Sequence, residues 1–314
     1  MPRRINIRRY TPADKSQWDT FVRDSKNSTF LFQRDYMDYH SDRFHDWSLV
    51  AYDDSGRIAA LLPANRDSDT LHSHQGLTYG GWITPARGCD MQSMIQLWEK
   101  SLYYMRNHGI GCLIYKPVPH IYHRYPAEED LYALFHSGAK LIRRQVSSAI
   151  DLSMPVLYNK NTHRKLKSEK RATIQTSYRL KNFWCILEQL LREKHDTAPV
   201  HTLDEITLLH SRFPDNIVLV TAEESGNVIA GAVLYLTDTV VHLQYAATTE
   251  HGRSLNVFPA LYDHVMQNLC QGRRYLDFGT SDGRQTDTLN LGLLQHKYGL
   301  GGRAVVYDTY SLDL

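Results

Sequence analysis

The sequence repeats itself across its two halves. Residues 53–60 read DDSGRIAA and residues 223–230 read EESGNVIA, and each stretch follows an apolar, strand-like run. Further on, FHSGAKLIRRQVSSAIDL (135–152) matches KYGLGGRAVVYDTYSLDL (297–314). The spacing between the copies falls only from 170 residues at the first pair of stretches to 162 at the second. Self-similarity of such a long period indicates a duplicated structural unit.

Composition places the chain among ordinary globular proteins. Its 314 residues allow two domains of about 150 residues each, and 42% hydrophobic with 22% charged residues is usual for a soluble protein. A net charge of +2 excludes a protein that binds polyanions over its whole surface. The four cysteines are isolated, as is typical of reduced thiols. Since no signal peptide and no run of about 18 apolar residues is present, we expect a cytoplasmic protein without an integral membrane segment.

The order of predicted elements indicates an α+β fold with mixed sheets. Antiparallel strand hairpins come first in each copy, and strands then alternate with helices, which is not a doubly wound pattern. The first domain is predicted over residues 1–152 and the second over 153–314, with the C-terminal strand 303–314 able to complete the first. Strands are predicted at 5–10, 47–52, 57–63, 76–82, 111–116, 217–222, 228–236, 240–247, 274–279 and 303–310, with a strand pair at 140–152. Helices are predicted from Thr11 and at 34–43, 91–108, 127–137, 182–195, 202–212, 259–271 and 288–298.

A basic segment interrupts the pattern at residues 158–181. It holds eight Lys and Arg side chains, among them Lys165, Lys167 and Arg171, against one Glu. Clustered cations of this kind contact phosphates, so the segment could meet the acceptor arm of a tRNA, an anionic lipid or a sugar phosphate. A solvated helix face explains the same charges equally well.

The element order and the C-terminal motifs resemble a known family. Strand, acidic-Ser-Gly turn, two strands, helix, strand, helix and strand is the order of the GNAT acyltransferase fold. Two copies in one chain look like the FemABX group of peptidoglycan bridge-forming aminoacyltransferases. YLDFGTS (275–281) and LNLGLLQHKYGLGG (289–302) are similar to that family's strand ending in Asp-Phe-Gly, its Asn-x-Gly-Leu and its Phe-Lys-x-x-Phe-Gly-Gly tract. His296 and Leu300 stand where the family has Phe.

The resemblance implies acyl or aminoacyl transfer to an amine, with aminoacyl-tRNA or acyl-coenzyme A as the co-substrate. GNAT enzymes bind the coenzyme A pyrophosphate at a Gly-rich turn before a helix, where backbone N–H groups point at phosphate. The equivalent turn here, residues 251–259, has one Gly, Arg253 as a candidate substrate-binding cation, and Pro259, which lacks an N–H. The turn at 85–90 in the first copy is equally poor, so coenzyme A is the disfavoured donor.

Lys297 and Asp277 are the candidate catalytic residues. Lys297 occupies the family's lysine position, and a fixed ammonium stabilises the oxyanion of an acyl-transfer transition state. Asp277 ends a predicted buried strand within an apolar frame, where a carboxylate needs partners. It could orient Lys297, act as a base, or only bind turn N–H groups before Gly279. A solvated lysine is the alternative for Lys297.

Tyr79 and Tyr245 are candidate substrate-binding residues because they lie on equivalent strands. In GNAT folds those strands separate to admit the acyl donor, although core packing also explains two tyrosines among 20. No metal site is predicted, because the His pairs at 72–74 and 120–123 lack a complete ligand set.

Three hypotheses about function remain open at this point. The first is an acyltransferase or aminoacyltransferase that acts on an amine of a small-molecule or lipid-linked cell-envelope precursor. The second is a coenzyme A-dependent N-acyltransferase that acts on an amino sugar or a lipid-linked amine. The third is a binding protein that kept the doubled fold and lost its chemistry. The sequence does not give the oligomeric state.

Overall fold

The chain folds into two compact units. The computed structural model describes residues 5–167, 172–283 and 288–314. Unit 1 comprises Met1–Gln145 together with Val306–Leu314, and unit 2 comprises Val146–Val305. The unit boundary therefore lies seven residues before the boundary predicted from the sequence. Within the described ranges, no helix has both the length and the apolar character that a membrane span requires.

Unit 1 begins with a strand and a capped helix. A helical segment starts at Thr11-Pro12 as predicted. Thr11 and Asp14 form a capping box, which opens a 3₁₀ turn that leads into the first helix. The elements in chain order are β1 (Asn6–Arg9), α1 (Lys15–Asp24), α2 (Arg34–Met37), β2 (Leu49–Tyr52), β3 (Ile58–Leu62), β4 (Asn65–Asp67), β5 (Thr70–His72), α3 (Met91–Asn107), β6 (Cys112–Tyr115), α4 (Glu129–His136) and the start of β7 (Lys140–Asp151), whose residues from Val146 onward belong to unit 2.

Two groups of strands build unit 1. Strands β1, β2 and β3 form one antiparallel sheet. Strand β6 pairs in parallel with β5 and, on its other side, antiparallel with the C-terminal residues 310–313. The amphipathic helix α3 buries Leu97, Trp98 and Met105 against this framework, where they share a core with Leu312.

Unit 2 contains the second copy of the sequence repeat. Its elements in chain order are α5 (Lys160–Lys167), β8 (Thr173–Ser177), α6 (Leu180–His195), α7 (Leu203–Arg212), β9 (Ile217–Glu224), β10 (Asn227–Leu236), β11 (Val240–Thr248), α8 (Glu250–Ser254), α9 (Val257–Asn268), β12 (Tyr275–Thr280), α10 (Leu291–Gly299) and the start of β13 (Arg303–Asp313), whose residues from Val306 onward belong to unit 1. The basic segment predicted at 158–181 is thus a short helix and a strand, with residues 168–171 outside the described range.

The sheet of unit 2 is antiparallel except at one junction. Strands β8, β9, β10 and β11 are antiparallel neighbours, and β12 pairs antiparallel with β7 through Tyr275↔Asp151. Among the described strands of this unit, β11 and β12 are the pair that runs parallel. Leu261 and Val265 of α9 pack on this sheet with Val220, Val241 and other buried aliphatic side chains. A parallel pair inside an antiparallel sheet is the local feature that positions the candidate site.

The structure differs from the predicted elements in several places. Residues 76–82 form no strand and contribute only isolated bridges, such as Gly80↔Pro117. A short hairpin of β4 and β5 was not predicted; it turns at Ser68, which has a φ of 55°. The pair of strands predicted at 140–152 is wrong, because β7 is one strand. Nothing in LIRRQVSSAI supplies the Gly or Pro that a tight turn requires.

Candidate active site

The candidate site lies where β11 and β12 part. Their parallel ladder covers three residue pairs and ends at His242↔Asp277. Beyond that pair, β11 continues along β10 with a shift of register between Val233 and Leu234. Strand β12 continues along β7 with its own shift between Asp277 and Thr280, where Gly279 has a φ of 74°. Because bulges redirect strands, polar groups of both strands meet at this vertex.

Asp277 is fully buried at the vertex and holds three hydrogen-bond donors. The Ser147 hydroxyl donates to Oδ1 at 2.5 Å, and the Gly279 N–H donates to the same oxygen at 3.1 Å. The His242 Nδ1 lies 2.8 Å from Oδ2. These bonds compensate for the burial of a carboxylate, which is costly without partners.

Lys297 reaches the same point from helix α10. The helix begins at the N-cap Asn290, whose side chain accepts from the Leu293 N–H at 3.0 Å. In its last turn, Lys297 is only 6% exposed, and its Nζ donates to the Gly279 carbonyl at 2.8 Å and to the Thr280 carbonyl at 2.7 Å. Burial lowers the pKa of Lys297 to about 8, although the nearby carboxylates of Asp277 and Asp282 oppose that shift.

The Lys297 ammonium uses two of its three N–H donors in hydrogen bonds. An ammonium group has three donors, and two of them are used by the carbonyls. The described part of the chain offers the third no acceptor within hydrogen-bond distance. The buried Ser281 hydroxyl, one residue after Thr280, likewise has no partner among the described residues. The vertex therefore holds spare donors, which an oxyanion requires.

A cavity of about 370 Å³ lies in the same unit, beside residues 251–259. The turn predicted there is instead most of the short helix α8 followed by the start of α9. Helices α5 and α10 and the N-terminus of α9 line it, and Lys165, Arg253 and His296 bring basic groups to it. The Thr162 hydroxyl donates to the Gly299 carbonyl at 3.0 Å, which fixes α5 to the end of α10. Burial, together with Lys165 and Lys297, lowers the pKa of His296, so the lasting positive charge comes from Lys165 and Arg253.

The predicted substrate-binding residues divide between several places. Lys165 and Arg253 line the cavity, whereas Lys167 is exposed at the end of α5 and is not part of its lining. Arg171 lies outside the described residues. Tyr245 packs on Trp184, and its hydroxyl lies 2.6 Å from the His201 Nδ1. Its role as a substrate contact stays a prediction.

Tyr79 belongs to unit 1. Its side chain is 3% exposed, its ring packs against Phe32 and Tyr122, and its hydroxyl donates weakly to Thr29 at 3.4 Å. These contacts are those of a packed core ring, and a substrate contact at Tyr79 also stays a prediction.

The first copy of the repeat lacks the groups of the vertex. In the sequence alignment of the two copies, Tyr115 takes the place of Asp277 and Phe135 the place of Lys297. The Tyr115 hydroxyl donates to buried Asp130 at 2.8 Å, and Phe135 is 80% exposed. The two candidate catalytic residues therefore occur together only in unit 2.

Sequence reasoning missed Ser147 and His242. Ser147 lies 130 residues before Asp277, and nothing in the local sequence relates the two. His242 could have been found, because β11 and β12 are neighbours in the predicted fold and His242 begins the run HLQY on the first of them. No group of three or more His, Cys, Asp and Glu side chains within the described ranges is arranged to hold a metal ion.

Comparison with known proteins agrees with this architecture. Residues 160–286 match the family model described as Acetyltransferase (GNAT) domain. The crystal structure of FemX superposes with a TM-score of 0.71 at 11% identity, covering 98% of this chain and 97% of FemX. The chain has the tandem GNAT fold of FemX. The predicted fold class and resemblance are thereby confirmed, and the GNAT domain in unit 2 supports an acyltransferase.

Other structures share the FemX-like fold. L-PGS from Bacillus licheniformis gives a TM-score of 0.60 at 11% identity, covering 95% of this chain and 90% of that one. A tandem GNAT protein from the clavulanic acid biosynthesis pathway gives 0.52 at 12% identity, covering 99% and 98%. No curated protein sequence matches the chain.

Proposed function

We propose that this FemX-like protein transfers an acyl or aminoacyl group to an amine of a cell-envelope precursor. The observation that carries the proposal is the buried ammonium of Lys297 at the vertex between β11 and β12. Acyl transfer places negative charge on the carbonyl oxygen in the tetrahedral transition state. A preorganised cation in a largely dry site stabilises that charge far more than it stabilises the neutral substrate, so it accelerates the reaction.

The geometry suits an oxyanion better than a structural ion pair. Both bonds of Lys297 go to carbonyl oxygens and not to a carboxylate. The ammonium therefore keeps its net charge at the vertex. Since two bonds fix its position, the third N–H is aimed without the loss of side-chain freedom that a mobile lysine would suffer on binding.

The acyl donor in this proposal carries phosphate. Lys165 and Arg253 line the cavity beside the N-terminus of α9, where helix N–H groups favour anions. Both aminoacyl-tRNA and acyl-coenzyme A contain phosphates. The segment 251–259 favours aminoacyl-tRNA, because Pro259 and the lack of a second glycine leave few N–H groups for a pyrophosphate.

The proposed class of acceptor is supported by the proteins that share this fold. FemX and a putative lysylphosphatidylglycerol synthetase domain share it, and the latter's name joins an amino acid to a membrane lipid. An envelope precursor with a free amine is the acceptor that fits both the fold and the proposed chemistry.

The test offers both donors to the purified protein. Charged tRNA pools labelled in the amino acid, and labelled acetyl-coenzyme A, are each incubated with amine-containing envelope precursors. The proposal expects label to enter the acceptor from one donor, mainly from tRNA, and expects Lys297→Met to abolish most of it. Binding of precursors without any transfer would instead support a non-catalytic protein. Transfer from acetyl-coenzyme A alone would support an acyltransferase but contradict aminoacyl-tRNA as the donor.

A further inference from the structure

An amine cannot complete its attack on a carbonyl while it keeps its proton, so the site needs a proton acceptor. Asp277 is the first candidate by residue type, but its surroundings argue against it. It is 0% exposed, and both of its oxygens already accept hydrogen bonds, from Ser147, from the Gly279 N–H and from His242. A carboxylate so enclosed does not meet a substrate.

His242 differs from Asp277 on each of these points. Its side chain is 13% exposed, so one edge of the ring reaches the surface of the vertex. With Nδ1 donating to Asp277, the lone pair of the neutral ring lies on Nε2, which is the basic nitrogen of that tautomer. Holding a histidine in one tautomer and orientation is what a buried aspartate does for catalytic histidines in general.

His242 and Lys297 both lie close to Gly279. A Cβ added to Gly279 would lie 3.5 Å from Cε1 of His242, while the carbonyl of the same Gly279 accepts from the Lys297 ammonium at 2.8 Å. Glycine at this position places no side chain of its own beside the imidazole. Acyl transfer requires a base and an oxyanion donor close to one reacting carbon, and the vertex brings an imidazole and an ammonium close to the same glycine.

We propose that His242 is the proton acceptor of the transfer reaction and that Asp277 is its positioning residue. The inference rests on the proposed function. The nitrogen lone pair of the acceptor attacks the carbonyl carbon, a C–N bond forms, and the C=O π pair moves to the oxygen that faces Lys297. The proton on nitrogen passes to Nε2 of His242. Collapse reforms C=O and breaks the bond to the leaving oxygen or sulfur, which departs with the bond pair and takes the proton from His242.

The decisive variant is His242→Asn. The asparagine amide nitrogen can occupy the place of Nδ1 and donate to Asp277, so the buried carboxylate keeps its partner while the basic nitrogen is lost. We expect turnover to fall by about 10²–10⁴-fold, the usual contribution of general base catalysis, with the KM for the donor unchanged. His210→Asn is the matched control. It removes a part-buried histidine of the same unit whose Nδ1 bonds the Ile217 carbonyl at 2.7 Å, and it should leave turnover within about twofold, as surface and near-surface changes usually do.

Two further measurements separate a base from a structural histidine. His242→Ala should regain part of its turnover when imidazole is added, because free imidazole can supply the missing base. Asp277→Asn should lose turnover as well, and combining it with His242→Asn should cost little more, since residues that act as one unit are not additive. His242→Gln serves in the same assays if the asparagine variant does not fold.

The results with these variants test the role of His242 separately from the proposed acyl-transfer function. If Lys297→Met loses turnover while folded His242→Asn retains it, His242 is not the base, although the transferase stands. If folded His242→Ala is inactive and imidazole restores nothing, the histidine is structural and the inference is wrong. If both Lys297→Met and His242→Asn turn over normally, the proposed function itself fails.

Discussion

Replacing Lys297 by Met isolates the charge at the vertex. Methionine keeps a stem of similar length and apolar volume, so it fills the same buried space without the ammonium. Two opposing effects act on stability. The charge no longer has to be buried, and the drop in the pKa of Lys297 from 10.5 to about 8 puts that relief at about 3 kcal/mol. The carbonyls of Gly279 and Thr280 lose their donor, at about 1–3 kcal/mol each.

The variant should therefore fold, with the free energy of unfolding changed by only about 2 kcal/mol, while catalysis suffers far more. Removal of one oxyanion donor typically costs about 2.7–4 kcal/mol, or a factor of about 10²–10³ in turnover. Lys297→Arg keeps the charge in a different geometry and should recover only part of the loss. Single-turnover assays with labelled donor, together with donor binding by calorimetry, separate turnover from affinity, and affinity should not change.

The pH dependence gives the same residue an independent signature. Lys297 is protonated below a pKa of about 8 and neutral above it, so turnover should fall roughly tenfold between pH 7 and pH 9. Stability moves the other way. Between pH 8 and 10.5 the unfolded chain holds a proton that the folded chain has released, so the wild type should gain stability with pH relative to Lys297→Met. Urea unfolding of both proteins at pH 7.5 and pH 10 measures this difference.

Normal turnover of the folded Met variant would refute the reasoning, because Lys297 would then be a structural lysine. Global unfolding of the variant would contradict the stability balance, and the catalytic assignment would have to be withdrawn. A stability difference that stays constant with pH would show that Lys297 keeps an ordinary pKa in the fold.

Three further predictions follow from the cavity and the vertex. In calorimetry, coenzyme A should bind with a dissociation constant no tighter than micromolar, which corresponds to about −8 kcal/mol. Tighter binding would contradict the prediction that residues 251–259 bind a pyrophosphate poorly. Replacing Lys165 and Arg253 by Gln should weaken the binding of charged tRNA and flatten the salt dependence of its binding constant. Lys167→Gln, at an exposed residue outside the cavity lining, should change that salt dependence less. Equal salt dependence for all variants would show that the cavity is not part of the donor site. Gly279→Ala should lower the free energy of unfolding in urea by about 1–2 kcal/mol, because φ is 74° at this residue. The added methyl group would meet His242 only at ordinary contact distance, so the cost comes from the backbone. An unchanged stability would contradict the left-handed backbone conformation.

Much of the fold could be predicted because the repeat and the periodicity agree. The acidic-Ser-Gly turn gave the hairpin of β9 and β10, with Gly226 at a φ of 78°. The amphipathic pattern gave α3 to within one residue of its observed end. Lys297 and Asp277 were both predicted as candidates, with Asp277 able to orient Lys297, and the structure brings them close enough for Asp277 to affect the pKa of Lys297.

The rest depended on contacts that leave no local trace. Residues 76–82 alternate like a strand, yet Tyr79 and Trp82 are held by tertiary packing and by the Tyr115 hydroxyl, not by a ladder. The partnership of Ser147 with Asp277 follows from the register of β7 against β12, which depends on the strand's long-range pairing. Sequence spacing alone gives no information about such pairs.

The segment Val306–Leu314 constrains the order in which the protein can fold during synthesis. Unit 1 is finished by Val306–Leu314, which pair with β6 and place Leu312 in its core, and the Tyr307 hydroxyl donates to that of Tyr122 at 3.0 Å. Domains usually fold in the order in which the ribosome makes them. Here the unit that is synthesised first must wait with one side of β6 unpaired, an edge that invites aggregation. Its last contacts form only when residues 306–314 have left the ribosome, so a stop near residue 305 would damage a core whose other buried residues lie between Ile7 and Leu134.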